Sequence, residues 1–349
     1  MNPYKVLIVD DSELIRQVLT EIISQAPDLQ VVGVASDPFD AREKIKALNP
    51  DVITLDVEMP KMDGISFLKN LMRLRPMPVV MISTLTAKGA PVTLDALEIG
   101  AVDYVCKPKG GGWGDLVQYA GVIQDKVRNA ARANMLARES VTTKASTPTE
   151  TSTKEDRYKV GKVICIGSST GGTEALKEVL RYMPKNCPPI LMAQHIPAAF
   201  SGTFASLLSD TMPIEVCEAK AGMPLKAGCA YLAPSDRHLR LAKRDKKLVT
   251  ALLDGEKVNG HIPSVEVLFD SATAELGKYC VGAMLTGMGA DGATGMLRMR
   301  QAKGHTIAQD EASSVVWGMP GAAVKLNAAV EVLPIQRIGP ALLNACKIT

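Results

Sequence analysis

A chain of 349 residues is too long for one typical domain and predicts two. Hydrophobic residues make up 46% and charged residues 22%, so each half can bury an ordinary core, and no apolar run approaches the roughly 20 residues that span a bilayer. The net charge of +3 is small for this length and gives no case for nucleic acid or an anionic membrane as a partner.

The start, Met1-Asn2-Pro3-Tyr4-Lys5-Val6-Leu7-Ile8-Val9-Asp10, runs straight into a strand pattern and lacks a signal peptide's layout. Strand-like runs over 5–9, 30–35, 52–55, 79–82 and 102–106 alternate with helical patterns over 12–25, 39–48 and 65–75. This alternation predicts a parallel sheet covered on both faces, with ligands beyond the carboxyl ends of its strands. Those ends carry Asp10 and Asp11, then Asp56, then Ser83 and Thr84, then Lys107-Pro108. Three convergent carboxylates repel one another unless a cation neutralises them, and a hard, oxygen-preferring ion such as Mg²⁺ fits. Lys107 adds a fixed positive charge and a strand-four hydroxyl a donor, so the rim is equipped for a phosphoryl group.

Residues 1–125 resemble a response-regulator receiver domain, through Asp10-Asp11, Leu55-Asp56-Val57-Glu58-Met59-Pro60-Lys61-Met62-Asp63-Gly64 and Cys106-Lys107-Pro108. The resemblance implies a flavodoxin-like fold in which Asp56 accepts a phosphoryl group from a histidine kinase. It further implies Mg²⁺ held by Asp10, Asp11 and Asp56, with Lys107 and a strand-four hydroxyl reading the modification. Ser83 fits that hydroxyl best, and the adjacent Thr84 stays open. Residues 126–156 fade from a helical pattern into a Thr/Ser-rich stretch with few large apolar groups, which reads as a flexible tether.

The second half, 157–349, is organised around residues 162–180. An apolar run at 162–166 reads as a buried parallel strand, and 174–180 has helical spacing. Between them Gly167-Ser168-Ser169-Thr170-Gly171-Gly172 contains G-x-S-x-G, with Ser169 at the apex of a sharp turn and Ser168 as the fallback attacker. A nucleophilic serine needs a base, a group to orient the base, and donors for an oxyanion. Of the four histidines, His195 in Gln194-His195-Ile196-Pro197 ends the next strand-like run, where successive parallel strands place it near Ser169. His238 and His305 begin strand-like runs, which predicts the opposite edge, and His261 in a loop remains a substrate contact to consider. Asp291 follows a buried-strand pattern in the loop Thr286-Gly287-Met288-Gly289-Ala290-Asp291-Gly292. The expected triad is Ser169, His195 and Asp291, in a chain order unlike that of α/β-hydrolases, and the amide of Thr170 is the natural oxyanion donor.

The elbow, the Gln194–Pro197 segment and the Thr286–Gly292 loop resemble the chemotaxis methylesterase family, as do Ala233-Pro234, His261-Ile262-Pro263-Ser264-Val265-Glu266 and Ala308-Gln309-Asp310. The resemblance implies a Rossmann-like α/β catalytic domain that hydrolyses glutamate γ-methyl esters of methyl-accepting chemoreceptors, with glutamine deamidation as a second activity. It adds the Met288 backbone N–H to the oxyanion hole, and names a chemotaxis histidine kinase as phosphodonor. No cofactor is expected for ester hydrolysis, and nothing in the chain demands more than a monomer. Seven cysteines are scattered without a C-x-x-C pair, several inside apolar runs, so reduced thiols and a cytoplasmic location are expected.

Overall fold

Val6, Leu7, Ile8 and Val9 have no outward-facing polar partner between them, and all four are buried. Such a run is stable only in a strand covered on both faces, and this is where the computed structural model places it. The structure describes residues 2–59, 62–84, 90–107, 119–137 and 157–348. They fall into two units, Met1–Met135 and Leu136–Thr349. Pro108, residues 138–156 and the side chain of Thr84 lie outside the described residues.

In the first unit β1 (Tyr4–Val9), β2 (Leu29–Ala35), β3 (Val52–Asp56), β4 (Val79–Thr84) and β5 (Asp103–Lys107) form a sheet in the order β2-β1-β3-β4-β5. Every pairing is parallel. Its helices are α1 (Glu13–Ser24), α2 (Pro38–Leu48), α3 (Gly64–Leu74), α4 (Ala90–Ile99) and α5 (Ala120–Ala131). Local chemistry sets their starts: Ser12 accepts from the Ile15 N–H, Asp37 from Phe39 and Asp40 with Pro38 following, and Asp63 from Ser66. Val18, Leu19, Ile22 and Ile23 form the buried stripe of α1. Helix α1 packs beside α5 and α3 beside α4. This is the flavodoxin-like order expected, and strand order reverses between β1 and β3.

The second unit holds a seven-stranded parallel sheet in the order β14-β13-β12-β6-β7-β9-β8. Its strands are β6 (Val163–Ser168), β7 (Ile190–Gln194), β8 (Glu215–Glu218), β9 (Cys229–Leu232), β12 (Cys280–Met284), β13 (His305–Gln309) and β14 (Glu331–Leu333). An antiparallel hairpin, β10 (His238–Arg244) and β11 (Lys247–Leu253), stands apart from that sheet. The helices are α6 (Gly172–Leu180), α7 (Ala198–Thr211), α8 (Val265–Leu276), α9 (Ala293–Gln301), α10 (Met319–Lys325) and α11 (Ile335–Cys346). Helix α6 packs on α11, while α8, α9 and α10 pack in succession. Val163, Leu191, Phe269, Met284 and Met296 are fully buried in one core cluster. The chain leaves β6 first toward β7 and later returns on its other side as β12. The crevice between β6 and β12 is therefore the switch point where an open α/β sheet binds its ligand. Among the described residues no helix is long and apolar enough to cross a membrane.

Candidate functional site

Strand β6 ends at Ser168, and Gly171, at φ +74°, turns the chain into α6. An L side chain seldom tolerates that conformation, so glycine is what makes the bend cheap. The two serines of the turn point different ways. Ser168 is fully buried and its hydroxyl donates to Gln194 Oε1 at 2.6 Å. Ser169, 9% exposed, stands at the apex. The fallback attacker is thereby spoken for, because its proton and its surroundings belong to the core. Gln194 Nε2 donates to the Ser169 carbonyl at 2.8 Å, tying the elbow to β7.

Register brings His195 alongside. Ser168 pairs with Gln194, so Ser169 and His195 leave neighbouring strands together, at a strand spacing of about 4.8 Å. On the other flank the Ser169 N–H donates to the Thr286 carbonyl at 3.0 Å, just past β12. Gly287 follows, and a Cβ there would lie 2.8 Å from Ser169 Cβ, so only glycine lets this loop close on the serine.

Asp291 reaches His195 from that loop: Nε2 lies 3.0 Å from Asp291 Oδ2. The carboxylate is itself held by the start of α8, accepting from the Val265 N–H at 2.7 Å and from the Ser264 hydroxyl at 2.7 Å. Asn259 Nδ2 adds a bond at 3.0 Å. Burial alone would raise this carboxyl. The hydrogen bond and charge of His195, with Asn259 and Ser264, outweigh it and bring it down to about 2. Asp291 thus stays ionised, its charge aligned with a helix N-terminus. With Nε2 engaged, Nδ1 is the remaining nitrogen of His195, and it is buried without a hydrogen-bond partner among the described residues. No hydrogen bond among them joins the Ser169 hydroxyl to the ring. Such contacts are often long before substrate binds.

One histidine falls elsewhere than its sequence position suggests. His238 does not sit at the far edge of the main sheet, because β10 belongs to the separate hairpin. It is buried, accepts from the Ser264 N–H through Nδ1 at 3.0 Å, and lies 3.0 Å from the Glu256 carbonyl through Nε2. It therefore braces the loop before α8. His261 stacks on His195, ring centroids 3.8 Å apart and planes 7° from parallel. His305, at the start of β13, meets Glu331 away from the site.

In the first unit, carboxylate oxygens of Asp10, Asp11 and Asp56 lie within 4.8 Å of one another. Lys107 Nζ is 2.8 Å from Asp10 and 3.0 Å from Asp56. Burial, opposed by Lys107 and aided by Asp10, pushes the Asp56 carboxyl up to about 6. Burial works against the Lys107 ammonium, but Asp56 and Asp10 hold it above the ordinary lysine value. One ammonium thus leaves the cluster short of positive charge, and its all-oxygen donor set suits a hard divalent ion. Ser83 lies one residue past Ile82, the partner of Asp56, and Thr84 pairs with Lys107. Gly64 passes so close that a Cβ would lie 2.0 Å from the Asp56 carbonyl oxygen.

Residues 164–342 match the family model described as CheB methylesterase, and residues 6–112 that of the response regulator receiver domain. A relative from Saccharophagus degradans, named protein-glutamate methylesterase/protein-glutamine glutaminase 2, is 54% identical over 99% of both chains. The chain belongs to the CheB methylesterase family. A similarly named protein from Hahella chejuensis is 51% identical over 96% of this chain and 94% of its own. The crystal structure of the Thermotoga maritima CheB methylesterase catalytic domain is 36% identical, with a TM-score of 0.52, and covers 53% of this chain and 98% of that one. Members of the family thus match both halves of the chain in one continuous alignment, and the receiver in front brings phosphorylation control to the enzyme behind it.

Proposed function

We propose that this chain is a phosphorylation-regulated protein-glutamate methylesterase and protein-glutamine glutaminase of bacterial chemotaxis, working on methyl-accepting chemoreceptors. Ser169 Oγ attacks the γ-ester carbonyl while His195 takes its proton at Nδ1. Asp291 holds the Nε2–H and stabilises the imidazolium. The backbone N–H groups of Thr170 and Met288 receive the oxyanion, one such donor being typically worth about 10²–10³ in kcat. The proton returns to the departing methoxide, methanol leaves, and water hydrolyses the acyl-enzyme by the same relay. With a glutamine side chain the leaving group is ammonia. The observation that carries this reading is the buried His195–Asp291 pair beside the apical serine, at the switch point of the sheet.

In the receiver, Asp56 accepts the phosphoryl group from a histidine kinase. Asp10, Asp11 and Asp56 would hold Mg²⁺, which neutralises phosphoryl charge when bound. Lys107 and Ser83 or Thr84 sense the product.

Methanol release from methylated receptors tests the hydrolase. Ser169→Ala should lower kcat by at least about 10³-fold, with the fold kept by circular dichroism. Release surviving intact in that variant would reject the serine mechanism.

A further inference from the structure

The segment before α8 makes a tight reversal whose shape comes from two residues. Val258 and His261 exchange both backbone hydrogen bonds, each 3.0 Å. Asn259 and Gly260, at φ +53° and +81°, take the two left-handed corners. This Asn-Gly pairing is what a type I′ turn requires. The turn touches two members of the proposed triad at once: its first corner donates from Asn259 to Asp291, and its closing residue lays a ring on His195.

A histidine ring held by one in-plane hydrogen bond keeps a soft torsion about Cβ–Cγ, which is broad and roughly two-fold. Rotation there swings Nε2 off its acceptor and moves Nδ1 with it. A flat neighbour stacked on the ring face at 3.8 Å blocks that rotation from one side, and its near-parallel plane leaves the in-plane directions of the ring nitrogens to other partners. We infer that His261 is a positioning residue, whose imidazole face fixes the plane of His195 so that Nε2 stays on Asp291 and Nδ1 serves Ser169. This rests on the serine-hydrolase reading and deepens it: the loop 256–264, braced by His238, is part of the catalytic apparatus although it lies outside the main sheet.

Two variants of the full chain separate plane from bulk. His261→Phe keeps a flat ring and loses the ionisable nitrogens; His261→Leu keeps comparable volume and loses the flat face. Both are assayed for methanol release with kcat and KM resolved, and for the rate at which a fluorophosphonate labels Ser169. Misplacing a catalytic group by about 1 Å can cost on the order of 10²-fold. The expected result for His261→Leu is therefore a kcat loss of about 10–100-fold with KM within about twofold, and labelling slowed in step. His261→Phe should stay within about threefold of the parent on both readouts. A raised KM with kcat retained would make His261 a substrate contact and overturn the inference. So would equal losses in both variants, which would assign the effect to the nitrogens. If only the leucine variant fails to fold, the phenylalanine variant still decides by its kcat. Ser169→Ala, run beside them, tells apart the two levels of failure: activity in that control defeats the hydrolase itself, whereas a dead control with an unimpaired leucine variant defeats only the stack.

Discussion

Asp291 concentrates the electrostatics of the second unit in one carboxylate. Its carboxyl is fully buried and lies at about 2, against an ordinary 3.8. A tenfold change in proton affinity corresponds to about 1.4 kcal/mol, so ionised Asp291 contributes on the order of 2 kcal/mol to the fold. The folded value is depressed, so that contribution is present above about pH 4 and is lost as pH falls through about 2. Asp291→Asn should remove it, and should also present an amide N–H₂ among donors that now face a carboxylate. The expected outcome is a kcat lower by about 10³–10⁴-fold, as His195, the proposed base, loses the partner that sets its tautomer. Unfolding free energy should fall by about 2 kcal/mol at neutral pH, with the gap between variant and parent closing between pH 4 and pH 2. Denaturant titrations across that range, read beside methanol release, check both effects.

The elbow between β6 and α6 shows which elements a sequence declares and which it conceals. Its strand, its turn and the residues at the strand ends are legible, because a strand buried on both faces must be apolar throughout. A polar side chain at its carboxyl end therefore stands out. That logic locates Ser169, His195 and Asp291, and likewise Asp10, Asp56 and Lys107. It misleads at His238, where a strand-like run belongs to a hairpin with no place in the main sheet, so an edge rule has nothing to act on. It is silent on the stacking of His261 and on the Asn259 bond to Asp291, because the Asn-Gly signal fixes the turn but not where the turn docks. Gly171 makes the element's own prediction. At φ +74°, and with a Cβ that would lie 2.8 Å from Val315 Cβ, Gly171→Ala should cost about 1–3 kcal/mol. Calorimetry of the full chain should register it as a lowered transition of the second unit. An unchanged transition would mean that the turn tolerates an L residue and that its strain has been misjudged.

At the scale of the whole molecule, two parallel sheets follow one another and each carries its candidate site at the switch point. The receiver's site is built under tension, and that tension can be measured. The Asp56 carboxyl lies at about 6 instead of 3.8, so folding disfavours its charged form. Here the sign is opposite to that at Asp291: the favourable state is complete below about pH 4 and is lost as pH rises through about 6. At pH 7 the ionised group therefore costs the receiver on the order of 1–3 kcal/mol. A bound divalent cation, or a neutral residue in its place, relieves that cost. Asp56→Asn should raise the receiver's unfolding temperature at pH 7 in a chelator, and the advantage should shrink toward pH 4. Adding Mg²⁺ should stabilise the parent more than the variant, because the variant has lost one of the three carboxylates. The same substitution removes the proposed phosphoryl acceptor, so a small acyl phosphate with Mg²⁺ should no longer change the rate of methanol release. A receiver equally stable with aspartate or asparagine at neutral pH would show that Lys107 already balances the cluster. The divalent ion would then have no electrostatic deficit to fill.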